Sequence, residues 1–320
     1  MSLAPIRRRF VGVDLGNLPA PDAVVPPDVE AVIAERKAAI ANGIADPDLR
    51  AEVAATLALE SEPLAKDAEA GAYRELLHYQ RVNEAVRGVL LPTARGADLD
   101  QLVTRLGVQR QVITPANSNA SPPVAAVLES DADLRYRYQL ALEAHTTAGS
   151  YGGYEFHSRT AHPKVKDVAV YGPESGLVTP GIVRLVVLSR TGTGVPSQEV
   201  LDAVFAANND AETRPLTDLV QVRPATVATY RIHYHLQVRP GADPGLIVMA
   251  AHEALTLYAA QSHRVGRRIV DSALDSAAHQ DRVNVIRAIR IAPLGLEVDP
   301  GPEGAAWCES VVVTYEIVEG

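Results

Sequence analysis

The residues able to do chemistry are thinly spread along this chain. His233 and His235 stand two apart in an alternating stretch, so on a strand they share a face and could share a metal ion. No carboxylate or third histidine stands at a matching position nearby, and a metal centre uses three or four ligands. His157 and His162, five apart and followed by Pro163, do not make the HExxH pattern. The stretch RTGTGVPS at 190–197 follows an apolar run and precedes a helical pattern, which is the place for a phosphate loop. It lacks the lysine of GxxxxGK[ST] and the third glycine of GxGxxG. The acidic pairs Asp98 with Asp100 and Asp271 with Asp275 fall on polar helix faces or caps, and there is no GxSxG elbow. Cys308 is the single cysteine, which excludes an intrachain disulfide framework and a cysteine-based zinc site. The reading is therefore no catalytic residue, no metal and no cofactor. The alternative kept open is a cytoplasmic α/β enzyme with a phosphate-binding loop at 190–197.

What must position such residues is a chain of 320 residues, enough for two or three domains that each bury a core. The composition is globular, with 47% hydrophobic and 22% charged residues. Aromatics at 5% are scarce, so helices are expected to pack through alanine and other small side chains. A formal net charge of -9 argues against a duplex-binding surface, so no nucleic-acid partner is expected. Arg7, Arg8 and Arg9 form a short isolated basic tip. No apolar run reaches the ~18 residues of a membrane span, and MSLAPIRRRF lacks the apolar core of a signal peptide. Folding in a cytoplasm, with no membrane partner, is expected.

In order, residues 1–27 carry five prolines and read as an extended segment. Asp28 and Asp46-Pro47 open two helices. A third, from about Leu64 to Leu91, places Tyr73, Leu76 and Leu77 on one face and Val82, Val86, Val89 and Leu90 on nearly the opposite one at about 100° per residue. Unbroken, it is apolar on two sides and belongs in a bundle completed by other subunits; a bend that keeps one face buried is the other possibility. A short helix follows from Gly96 to about Leu106, and PANSNASPP at 115–123 reads as a polar linker.

The stretch from Glu129 to His162 reads as two helices joined by a glycine-containing corner. Ser130 caps the first, with Asp133 three residues on. Leu134, Tyr138, Ala141, Leu142 and His145 are expected to form its buried stripe, leaving Arg135, Arg137 and Gln139 outside. Ser150 caps the second; Gly149, Gly152 and Gly153 give backbone freedom, and Tyr151, Tyr154 and Phe156 are aromatic anchors. Strands are expected at Val165–Tyr171, Ile182–Leu188 and Leu219–Val222, with a helix from Ser197. Thr226 to Val238 alternates strictly; helices from Asp243-Pro244 and Asp271, and strands at Val283–Ile291 and Val311–Val318, complete the pattern. The fold class is α+β: a helical N-terminal arm (28–123), a middle α+β domain (124–225) and a C-terminal α+β domain (226–320).

Several stretches together resemble the phage baseplate J-like proteins, wedge subunits of contractile-tail baseplates. They are LESEPLAKDAEAGAYRELLHYQRVNEAVRGVLL (59–91), ARGADLDQLVTRLGVQR (94–110), the corner sequence, VLSRTGTGVPS, RPLTDLVQV and the last domain from Tyr230 to Val318. The resemblance implies a structural, non-enzymatic subunit of a virion tail baseplate or tail-like particle, assembled in the host cytoplasm. Its implied partners are a second copy in the wedge, other wedge proteins and the baseplate hub, with the C-terminal domains building a ring. On this resemblance Tyr73, Leu76, Leu77, Gln80, Val82, Val86 and Val89 are interface candidates of the arm. It also implies that the domains act as levers when the baseplate opens and the sheath contracts.

Overall fold

The structure is a computed structural model that describes residues 10, 12–13, 15, 18–146, 148–211, 213–241, 243–281, 283–293, 295 and 297–318. The basic tip at Arg7–Arg9 lies outside the described residues. Two compact units emerge: Val13–Gln109, and Arg110 to the C-terminal end together with Phe10 and Gly12.

The first unit is helical. Asp28 and Asp46 sit at N-caps, where their carboxylates accept from Ala31 N, and from Asp48 N and Leu49 N, opening α1 (Val29–Asn42) and α2 (Pro47–Leu57). After a turn, Pro63 starts α3 (Pro63–Gly88), 26 residues without a break. Then α4 (Gly96–Val103) tightens into a 3-10 turn and ends at Gly107, whose left-handed φ of 69° favours glycine. The α1–α3 seam is built from Val32, Ile33 and Ala72, so small residues on α3 let the two helices approach closely.

The second unit opens with β1 (Val112–Thr114) paired antiparallel to β2 (Val127–Leu128); Asn117 and Val124 bridge between them, so the 115–123 stretch turns back on itself. The corner helices α5 (Asp131–Ala141) and α6 (Tyr151–Ala161) follow. Next come β3 (Val165–Tyr171), β4 (Ile182–Ser189), α7 (Gln198–Asn209) and β5 (Leu219–Pro224), forming a sheet in the order β3-β4-β5 with β4 and β5 parallel across α7. The apolar run of β4 is buried on both faces, as its composition requires. Leu185 and Val187 meet Tyr154, Val200 and Val204 on one side. On the other, Val186 and Leu188 meet Ala225, Val265 and Ala305.

β6 (Thr226–Val238) follows β5 with Ala225 alone between them, and the backbone changes partners there: Ala225 N donates to Val187 O, whereas Thr226 N donates to Glu303 O. Then follow α8 (Pro244–Ser262), β7 (Ile269–Val270), α9 (Asp271–Ala278), β8 (Val285–Ala292), β9 (Glu297–Val298) and β10 (Gly304–Ile317). The second sheet has the order β10-β6-β8, with β10 parallel and β8 antiparallel to β6. Alternation puts Tyr230, Ile232, Tyr234, Leu236 and Val238 under α8 and α9, where Leu255, Ala259, Leu274 and Ala278 close the core. β10 starts seven residues ahead of the expected Val311: its first half, GAAWCES, lacks the β-branched alternation that marks a strand, and its register shifts between Cys308 and Ser310. The class is α+β with a helical N-terminal region.

Candidate functional site

On α3 the sequence Ala65, Ala68, Ala72 and Asn83 forms the buried stripe. Asn83 clamps the proline-rich segment: its Oδ1 accepts from Val24 N at 3.0 Å and its Nδ2 donates to Val24 O at 2.8 Å. Rim pairs Arg36–Glu75 (3.0 Å) and Lys66–Glu69 (2.8 Å) are partly exposed and contribute little. On one flank of the stripe lie Tyr73 and Leu77, 57% and 55% exposed, beside exposed Gln80 and half-buried Leu76. On the other flank lie Val82 and Val89, 45% and 62% exposed, with half-buried Val86. The helix is unbroken and does present apolar side chains on two sides, with the α1 seam between them.

At the corner Ser130 Oγ accepts from Asp133 N at 3.1 Å and Ser150 Oγ from Gly153 N at 3.0 Å, so both serines cap their helices. Gly149 has φ of 67°, and a Cβ there would lie 2.7 Å from Pro215 Cγ. Gly152 is needed for a different reason: a Cβ would meet Glu143 Cγ at 2.6 Å, because the start of α6 is pressed against the 3-10 turn that follows α5. Tyr151 and Tyr154 anchor into the core of the first sheet. The Tyr154 hydroxyl donates to Asp218 Oδ2 at 2.8 Å, and burial, reinforced by that carboxylate, pushes its pKa above the usual phenol range. Phe156 is half-buried with its ring edge-on to His157 at 5.5 Å, and Tyr138 is half-buried.

The expected stripe of α5 needs correction. Its buried residues are Leu134, Arg137, Leu140 and Ala141, whereas Leu142 is 65% exposed and His145 also faces out. The α-helical hydrogen bonding stops at Ala141 and tightens to a 3-10 turn, which rotates residues 142 and 145 off the core face. Arg137 lies inside because Glu129 receives it: Nε and Nη2 donate to the two carboxylate oxygens at 2.7 and 2.6 Å, a bidentate pair with both partners nearly inaccessible. Arg110 donates to Glu129 O and to Asp131, and Gln111 N to Glu129 Oε2 at 3.2 Å. Beside this cluster Arg159 binds Glu155 at 2.9 Å and Asp167 at 2.6 Å, and its guanidinium lies 4.9 Å above the Tyr136 ring. The other Asp167 oxygen accepts from Val265 N at 3.0 Å, tying α6 and β3 to the segment after α8. Nothing in the composition announced these pairs. The available signal was a charged residue at the i+3 position between Leu134 and Leu140.

The residues weighed for chemistry are placed apart. His235 bonds Thr314 Oγ1 at 3.0 Å and lies 3.5 Å from Glu316, both on the neighbouring strand. Among the described residues no three His, Cys, Asp or Glu side chains gather as a metal site. The 190–197 loop spends its amides internally: Gly194 N donates to Thr191 O and Thr191 N to Ser189 Oγ. The first turn of α7 carries Glu199, whose charge opposes an incoming phosphate. Among the described residues no helix is long and apolar enough to cross a membrane.

Comparison with known proteins gives this architecture a family. The Baseplate J-like N-terminal domain matches residues 60–117, and the Baseplate J-like central domain matches residues 146–224. Over 308 residues, 96% of this chain and 98% of the relative, the sequence is 41% identical to baseplate protein J of Escherichia phage P2. The chain belongs to the baseplate J-like family. The N-terminal match of this baseplate J-like chain spans α3 and α4, and the central match spans α6 and the whole β3-β4-β5 sheet.

Proposed function

We propose that this chain is a structural, non-enzymatic subunit of a virion tail baseplate, or of a tail-like particle, and that it builds the wedge through α3. The observation that carries the reading is the long helix with apolar side chains exposed on both flanks of its internal seam, in a chain akin over nearly its whole length to a baseplate protein. Such flanks favour helical partners on two sides. A second copy and a smaller wedge protein fit those places, with Tyr73, Leu76, Leu77 and Gln80 facing one partner and Val82, Val86 and Val89 the other. In this reading residues 226–320 contact neighbouring copies around the hub. The corner and the sheets turn as a body when the baseplate opens and the sheath is released.

The test is to substitute Tyr73→Glu with Leu77→Glu, and separately Val82→Glu with Val89→Glu. All four sites are exposed, so the stability of the isolated chain is expected to stay within about 0.5 kcal/mol. Each pair should abolish recovery of this chain in assembled particles. Particles that form normally with both pairs changed would overturn the role given to α3.

A further inference from the structure

A cavity of about 370 Å³ lies between β3, α8 and β10. Its floor and walls include Lys166, Thr256, Ala260, Trp307, Glu309 and Val311. Both strands that border it are irregular there. The pairing of β3 shifts between Val165 and Asp167, at Lys166, and that of β10 shifts between Cys308 and Ser310, at Glu309. Such bulges re-aim side chains, and they gather beside binding sites.

We propose that this cavity is a binding site for a carboxylate carried on an apolar or aromatic body, with Lys166 as the counter-charge. An ammonium has three donors. Two are spent on His263 Nδ1 at 3.1 Å and, weakly, on Ala260 O at 3.4 Å, and Lys166 makes no ion pair among the described residues. One donor is therefore available, on a charge that no ion pair among the described residues neutralises. Burial, together with Arg190 and Arg264, disfavours that charge more than Asp167 and Asp133 support it, so an arriving anion relieves an existing electrostatic cost. The one carboxylate on the lining, Glu309, is taken up by Arg231 at 2.8 Å. It repels a second anion at its own end, which orients the ligand with its carboxylate at Lys166 and its body against Trp307 and Val311. The volume falls at the lower end of the about 300–1,000 Å³ usual for small-ligand pockets.

Trp307 is the only tryptophan in the chain, so its fluorescence reports this site alone. The full chain is titrated at constant ionic strength with 3-phenylpropionate, with the neutral amide of the same acid, and with an end-capped Phe-Glu-Phe tripeptide. The acid should give a saturable change and the amide should bind at least about tenfold more weakly, the difference made by a charge-assisted hydrogen bond. Lys166→Gln should erase that difference. Ala260→Phe, at an exposed helix position, should fill the cavity and abolish binding while leaving the circular dichroism spectrum unchanged. Saturation by the tripeptide assigns the site to an acidic side chain of a neighbouring protein; saturation by the small acid alone assigns it to a free metabolite. No saturable change with either, equal binding of acid and amide, or an unaffected Lys166→Gln variant overturns the proposal.

Discussion

Glu129 and Arg137 show what a single buried charge pair does for the corner. With both partners almost wholly enclosed, removing one leaves the other desolvated and unpaired, and that costs more than the intact pair contributes. Glu129→Ala is expected to lower unfolding stability by about 3–5 kcal/mol, read from the urea midpoint, and Glu129→Ala with Arg137→Met to recover much of it. His263 makes a second residue-scale prediction. Burial, and then Lys166 beside it, lower its pKa from 6.5 to about 4, with only partial support for the charged form from the Thr193 backbone and Asp167. The folded state therefore holds a neutral imidazole. Its contribution is complete above about pH 6.5 and is lost as pH falls towards 4, amounting to roughly 2–3 kcal/mol at most. His263→Gln cannot take up that proton, so its urea midpoint should fall less steeply across this window than that of the parent chain.

At the scale of elements, the signals that are local in sequence were legible. Ser130, Ser150, Asp28, Asp46 and Asp243 act within one helical turn, so their caps follow from residue type and spacing. The thirteen residues of β6 follow from strict alternation. What was hidden depends on partners far along the chain. Arg137 is buried where Glu129 and Thr160 converge on it, and the first half of β10 becomes a strand because β6 offers it a parallel edge. The glycines at the corner divide by cause, which sequence alone does not reveal. Gly149→Ala must strain a positive φ and displace Pro215, so a loss of about 1–2 kcal/mol is expected. In the α1–α3 seam, Ala72→Leu overpacks a fully buried position and should cost about 1–3 kcal/mol, visible as a lower Tm of the isolated chain.

For the whole molecule, the sequence pattern alone suggested shared packing of α3 and identified no reagent, and the partners came from family resemblance. The candidate cavity at Lys166 was not legible, because it is made where two register shifts, about 140 residues apart in a chain of low contact locality, come together. Residues 110–320 form one compact unit around both sheets. A fragment beginning at Arg110 is therefore expected to unfold in a single cooperative urea transition; separate transitions for the two sheets would contradict that unity.

The parallel pairing of β6 with β10 also orders the life of the chain during synthesis. Cross-strand partners such as Arg231 and Glu309 are 78 residues apart in sequence, so β6 leaves the ribosome long before one of its two neighbours exists. Until the last strand arrives, an apolar central strand carries an open edge of the kind that recruits other chains. A nascent or prematurely terminated copy is thus marked as incomplete by its own exposed backbone, and only a chain translated through β10 can hide it.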